Sequence, residues 1–225
     1  MRSTFRLTAV ALTALALAPA SLHAQRIRGN VGPTRLGVFG GPAISTMSGV
    51  DVLPQGSHNG FQGGLNLILP FTENFSLRTG MAYVQKGVND SLPLATGVFD
   101  VGYLEFPFML RMIALPGETV NLHALAGYVI GFKASCKFRV DSIGVGTVYD
   151  GACGKSQRKF TFDIRPTDNS AVFGLDLTLM PQAQISYEIV GTWELALNSA
   201  DPAVQPLDAK NRVMGVTAGI IYNFR

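Results

Sequence analysis

Apolar side chains recur at every second position along most of this chain. Near its end, Met214, Val216, Ala218, Ile220, Tyr222 and Phe224 alternate with Val213, Gly215, Thr217, Gly219, Ile221 and Asn223. Successive side chains of a strand point to opposite faces, so one face of this segment is bulky and oily and the other largely small. The same reading gives Ile185, Tyr187, Ile189, Trp193 and Leu195 against Ser186, Glu188, Thr192 and Glu194, and Phe173 to Leu179 against Gly174, Asp176 and Thr178. Upstream, Leu104, Phe106, Phe108, Leu110 and Met112 oppose Tyr103, Glu105, Pro107 and Arg111, while Leu122 to Ile130 oppose Asn121, His123, Gly127 and Gly131. Segments around 61–69 and 75–83 repeat the pattern, and Arg35 to Ala43 is its weakest example, with Leu36 and Val38 as its outward positions. Eight strands are predicted.

The connections between these segments alternate in length: long near 44–59, 86–99, 134–170 and 198–211, short near 70–74, 115–119 and 181–184. Outer-membrane barrels join their strands in this way, by short periplasmic turns and longer external loops. Strands of about ten residues, rising roughly 3.3 Å each and tilted by about 40°, cover an apolar band about 25 Å tall. The predicted fold is all-β: an eight-stranded antiparallel up-and-down transmembrane β-barrel with both termini on the periplasmic side. A soluble barrel would turn the oily face inward and crowd its exterior with lysine and glutamate. Here the polar face carries glycines, small residues and isolated charges, as a narrow lumen requires, and aromatics on the other face lie toward segment ends, as interfacial girdles do.

Composition adds the compartment. Residues 1–24 have a basic start at Arg2 and Arg6, an apolar run from Leu7 to Ala18, and a small-residue stretch ending at Ala24. That order is a cleaved secretory signal peptide, leaving a short segment 25–34 and a barrel domain over 35–225. With 47% hydrophobic and 15% charged residues, 25 glycines and a net charge of +3, the chain has fewer charges than the usual quarter of a soluble domain. It is also too evenly charged to bind nucleic acid. Outside the leader no apolar run approaches the eighteen residues of a membrane helix.

The opening strand Leu36-Gly37-Val38-Phe39-Gly40-Gly41, the stretch Gly80-Met81-Ala82-Tyr83-Val84-Gln85-Lys86-Gly87, and Tyr103-Leu104-Glu105-Phe106-Pro107 together resemble outer-membrane β-barrel proteins of the PorT-like type. These are similar in form to the small OmpA-like and OmpX-like barrels. The last stretch is similar to that family's Tyr-Leu-Glu-aliphatic-Pro signature. Ile220, Tyr222 and Phe224 resemble an outer-membrane assembly signal, from which this chain departs by placing Arg225 after the final aromatic. The resemblance implies fold and outer-membrane location; fold and function are separable.

The nearest thing to a site is the set of charges on the inward face. Arg78, Glu105, Arg111, Asp176, Glu188 and Glu194 point to the lumen, with His123 and Lys133 on the same face. An eight-stranded barrel is only wide enough to be filled by side chains, so these groups are expected to pair across it and plug it. The alternative is a narrow solute or ion path lined by the same groups. Pro107, in mid-strand, predicts an irregular pairing. Cys136 and Cys153 lie in the longest external loop, and in an oxidising periplasm such a pair predicts a disulfide. That loop also carries Lys137, Arg139, Lys155, Arg158, Lys159 and Arg165 against Asp141, Asp150, Asp163 and Asp168, an excess suited to lipopolysaccharide phosphates or an anionic envelope protein. Within it, Lys137–Val140 and Lys159–Ile164 are expected to form a hairpin about a tip at 143–146.

No phosphate-cradling loop, metal-ligand spacing or dinucleotide fingerprint is present. His123 stands without the neighbouring serine of a barrel lipid deacylase. The reading is therefore a non-enzymatic, cofactor-free and monomeric barrel that sits in outer-membrane lipid and anchors surface loops. A lipid-modifying enzyme is the second alternative.

Overall fold

A computed structural model describes residues 32–48, 55–92, 95–142, 144–153, 165–198 and 210–224. Residues 1–31, the expected leader among them, lie outside these. The described residues form ten strands: β1 (Arg35–Ser48), β2 (Gln55–Gly56), β3 (His58–Pro70), β4 (Phe75–Leu92), β5 (Ala95–Leu115), β6 (Val120–Ser142), β7 (Gly146–Ala152), β8 (Thr167–Leu179), β9 (Ile185–Ala196) and β10 (Lys210–Asn223). Every pairing is antiparallel. Eight of the strands close a ring, because β1 pairs both β3 and β10, and the ladder runs on through β4, β5, β6, β8 and β9. β2 and β7 are short additions on β4 and β6.

The two faces differ as the alternation requires. Leu175 is 56% exposed, Ile220 51% and Trp193 49%, whereas their inward neighbours Asp176 and Glu188 are at 0% and 1%. Large apolar side chains left bare on so wide a band need acyl chains against them, since the largest apolar patch on a typical soluble monomer is a few hundred Å². From Ile185 to Leu195 the outward row of β9 climbs about 25 Å after allowing for tilt. The outward aromatics Tyr187 and Tyr222 lie toward its short-turn edge, Trp193 and Phe132 toward its far edge.

Above that band the structure departs from the sequence reading. The stretch 86–99, expected as a long loop, is largely a hairpin: β4 and β5 stay paired from Ala82↔Glu105 to Leu92↔Ala95. The region 44–59 likewise carries the end of β1, all of β2 and the start of β3. β4, β5 and β6 thus form a wall that runs on for about 30 Å along the strands past Tyr83 and Phe132, at about 3.3 Å per residue. Lys137–Ser142 pairs with Gly146–Ala152; the segment Lys159–Ile164, expected as its partner, lies outside the described residues together with Lys155 and Arg158. Close in sequence, β7 needs only a tight tip to reach β6, and Gly144 and Gly146 supply it with φ of 84° and 85°.

Pro107 keeps its register with Val129 on β6, but toward β4 the ladder lapses between Thr79↔Phe108 and Ala82↔Glu105. Proline has no N–H to give a neighbour. The register shifts of β5 against β6 lie elsewhere, at Gly102/Tyr103 and Ile113/Leu115.

The wall has its own small core. Phe99 stacks on Phe138 at 4.2 Å between ring centroids, and Val101 and Tyr103 pack with Cys136 and Cys153, which form a disulfide. Arg139 and Thr147 both donate to Asp141, and the Thr147 hydroxyl, with Arg139, holds its carboxyl below the ordinary aspartate range. Closing a loop of this length contributes roughly 3 kcal/mol in the chain-entropy model. Reduction is therefore expected to speed trypsin cleavage at Lys137 and Arg139 severalfold in the folded protein. An unchanged cleavage rate would mean that the β6–β7 ladder holds the hairpin without the bridge.

Candidate functional site: a layered lumen

Inside the ring the side chains form three layers. The layer nearest the short turns is built on Arg78 (β4), Arg111 (β5), Asp176 and Thr178 (β8), and Glu188 (β9). Arg78 donates through both terminal nitrogens to Glu188, at 2.6 and 2.9 Å, and its Nη1 lies 3.4 Å from Asp176. Arg111 donates from Nε to Asp176 at 2.7 Å and from Nη2 to the Thr178 hydroxyl at 2.6 Å, which in turn donates to the other Asp176 oxygen. Asn66 on β3 adds a third donor to Glu188 at 2.6 Å. β4 and β9 lie on opposite sides of the ring, so the Arg78–Glu188 fork spans the lumen. Charge-assisted, bidentate bonds of this kind are the strongest available to side chains.

Glycines make room for it. A Cβ on Gly219 would come within 2.8 Å of a Glu188 carboxylate oxygen, and one on Gly37 would strike the Asn66 amide oxygen.

The outer layer centres on Lys86 (β4). Its Nζ lies 2.6 Å from Glu105, 3.0 Å from Asp168 and 3.2 Å from Glu194, and 5.6 Å from the centroid of the Tyr103 ring. Asn211 on β10 donates to Asp168 at 3.2 Å and hydrogen-bonds Tyr103. Two members of this layer, Lys86 and Asp168, fall in stretches whose pattern predicts external loops, yet both are buried, at 1% and 4% exposure. The signal was present, for Lys86 is eight positions beyond Arg78 and Asp168 eight before Asp176. Even spacings keep the same face.

Between the ionic layers lies an apolar one. Met109, Leu125, Val129, Val172 and Val190 pack together on one side, and Ala43, Ala82, Val84 and Val213 with Phe39 on the other. A cavity of about 50 Å³ remains there, bordered by Arg78, Glu105, Glu194 and Asn66, large enough to hold water. The inward row is thus not uniformly small and polar, as its glycines suggested.

The remaining candidates fall outside these bonds. His123 is buried beside the short-turn layer, its Nδ1 3.3 Å from the main-chain oxygen of Asp176. Lys133 is half-buried where β6 leaves the ring, its amide donating to the Pro166 carbonyl. Ile220, Tyr222 and Phe224 all face outward, with the Tyr222 and Phe224 rings edge-to-face at 5.1 Å. Among the described residues no group of three histidine, cysteine or carboxylate side chains is placed to hold a metal ion.

A closed ring with an oily exterior and an ionic interior is the geometry of an outer-membrane barrel, and the chain matches the model of the outer membrane protein beta-barrel domain over residues 23–199. It belongs to that family. This outer-membrane barrel protein is at home in the outer membrane, which its strands cross. Among solved structures it is similar to OprG of Pseudomonas aeruginosa, with 14% identity over 88% of this chain and 98% of that one and a TM-score of 0.51. It is also similar to Ail of Yersinia pestis, with 18% identity, 84% and 99% coverage and a TM-score of 0.43. Neisserial surface protein A gives 11% identity, 84% and 97% coverage and a TM-score of 0.47. At these identities the likeness to OprG is one of fold. No curated protein matches the barrel in sequence.

Proposed function

We propose that the barrel is a non-enzymatic, plugged membrane anchor whose work is done by the wall of β4–β7 outside the bilayer. The reading rests chiefly on the lumen. Lys86 and its three carboxylates close it at the outer end, and Arg78 with Arg111 and their two carboxylates close it at the other. Between them stands an apolar layer that an ion crosses only at a large desolvation cost. Eight strands leave no room for a parallel path. What remains exposed to partners is the tall sheet with its disulfide-tied hairpin. The basic excess near it suits phosphates of lipopolysaccharide or an anionic envelope protein. In the same reading Ile220, Tyr222 and Phe224, a lipid-facing row at the ring's closing strand, serve recognition during assembly.

The expected result in planar bilayers is a membrane as tight as the lipid alone. Discrete, reproducible current steps from the purified, folded protein would replace the anchor by a narrow channel. Turnover of phospholipid that is lost in His123→Ala would replace it by a lipid-modifying enzyme.

A further inference from the structure

The short-turn mouth of the barrel holds a cavity of about 60 Å³, separate from the one between the ionic layers. Arg35 from the first residue of β1, Arg111, His123 and Asn121 line it, with the Thr72–Asn74 turn at its edge. Arg111 is already bound to Asp176 and Thr178. Arg35 is not similarly served: its Nη1 is buried and has no hydrogen-bond partner among the described residues. A buried donor left unpaired has given up its hydration for nothing, and the loss is greater when it is charged. The surrounding charge points the same way. Arg35, Arg78 and Arg111 outnumber Asp176 and Glu188 in this layer, and the one acid among the residues lining the cavity is Glu73, which is exposed on the turn.

We propose that this mouth is a binding site for a small oxyanion, with Arg35 as its principal donor and Arg111 and His123 as its wall. Guanidinium groups bind carboxylate and phosphate oxygens through two parallel N–H bonds, and the cavity has the volume of one such ion. The ligand class is a phosphate or a carboxylate presented from the periplasm. The site borders the lumen plug and shares Arg111 with it, but it does not depend on the anchor reading.

The test uses the full barrel folded in detergent micelles. Inorganic phosphate is raised at constant ionic strength by exchange with chloride, and the thermal unfolding midpoint is followed by the gel shift between folded and heated protein. A phosphate-dependent rise is expected. Arg35→Gln should require at least tenfold more phosphate for the same rise, Arg35→Lys should retain part of it, and Arg212→Gln at the opposite end should not alter it. Acetate in place of phosphate separates the two sources: a rise with acetate alone assigns the site to carboxylates. An equal response in Arg35→Gln, or no response to either anion, overturns the site and leaves Arg35 to water. If Arg35→Gln fails to fold, the ³¹P line width of phosphate with the wild-type barrel decides. Broadening that sulfate reverses supports the site, and its absence overturns it.

Discussion

Lys86→Met is expected to lower the stability of the folded barrel by about 3–5 kcal/mol, the range for removing one partner of a buried ion pair. It should appear as a fall in the urea midpoint of the protein in phospholipid vesicles. The lysine is bonded to Glu105, Asp168 and Glu194 at once, so its loss leaves three carboxylates facing one another with little water. The sign is specific. Glu194→Gln, which removes one of three negative charges around a single positive one, should cost much less than Lys86→Met. Combining Lys86→Met with Glu105→Gln, Asp168→Asn and Glu194→Gln should recover a large part of the loss. A midpoint for Lys86→Met within error of wild type would show that the outer layer is solvated and does not seal the lumen.

The second large effect concerns orientation. Leu175 stands near the middle of the oily band on β8, 56% exposed, next to the fully buried Asp176. Leu175→Arg is expected to cost about 2–4 kcal/mol in vesicles, the penalty for an arginine at the midplane of a barrel's lipid face. Val148→Arg on β7, outside the band and 61% exposed, should cost almost nothing. Equal costs at the two positions would mean that the leucine face meets water or protein instead of acyl chains.

Much of this architecture was legible because a strand's parity is rigid. Arg78, Glu105, Arg111, Asp176 and Glu188 could be put on one face from spacing alone, and the short turns near 71–74, 116–119 and 180–184 could be placed from the breaks in that spacing. The strand ends could not. Past Tyr83 the outward row turns polar at Gln85, so the hydrophobic signal stops at the membrane surface, while backbone pairing continues to Leu92. That is why Lys86 and Asp168 read as loop residues. The middle of the lumen was hidden for the opposite reason: Leu125 beside Ala126, Val129 beside Ile130 and Val190 beside Ile189 are apolar on both faces, which erases the alternation locally. The pairing of particular charges was also beyond the sequence. It depends on which strands stand opposite across the ring, as β4 and β9 do.

The ring is shut by its first and last strands, with Arg35 beside Asn223 and Ser48 beside Lys210. Contacts so remote along the chain are slow to form because the long intervening segment must be brought round first. Until β10 arrives, β1 and β9 each present a bare row of amides and carbonyls, which water-free hydrocarbon does not tolerate and which invites pairing with other chains. Any truncation that removes Lys210–Asn223 should thus yield an aggregating species rather than a smaller barrel, whatever the intactness of the other seven strands.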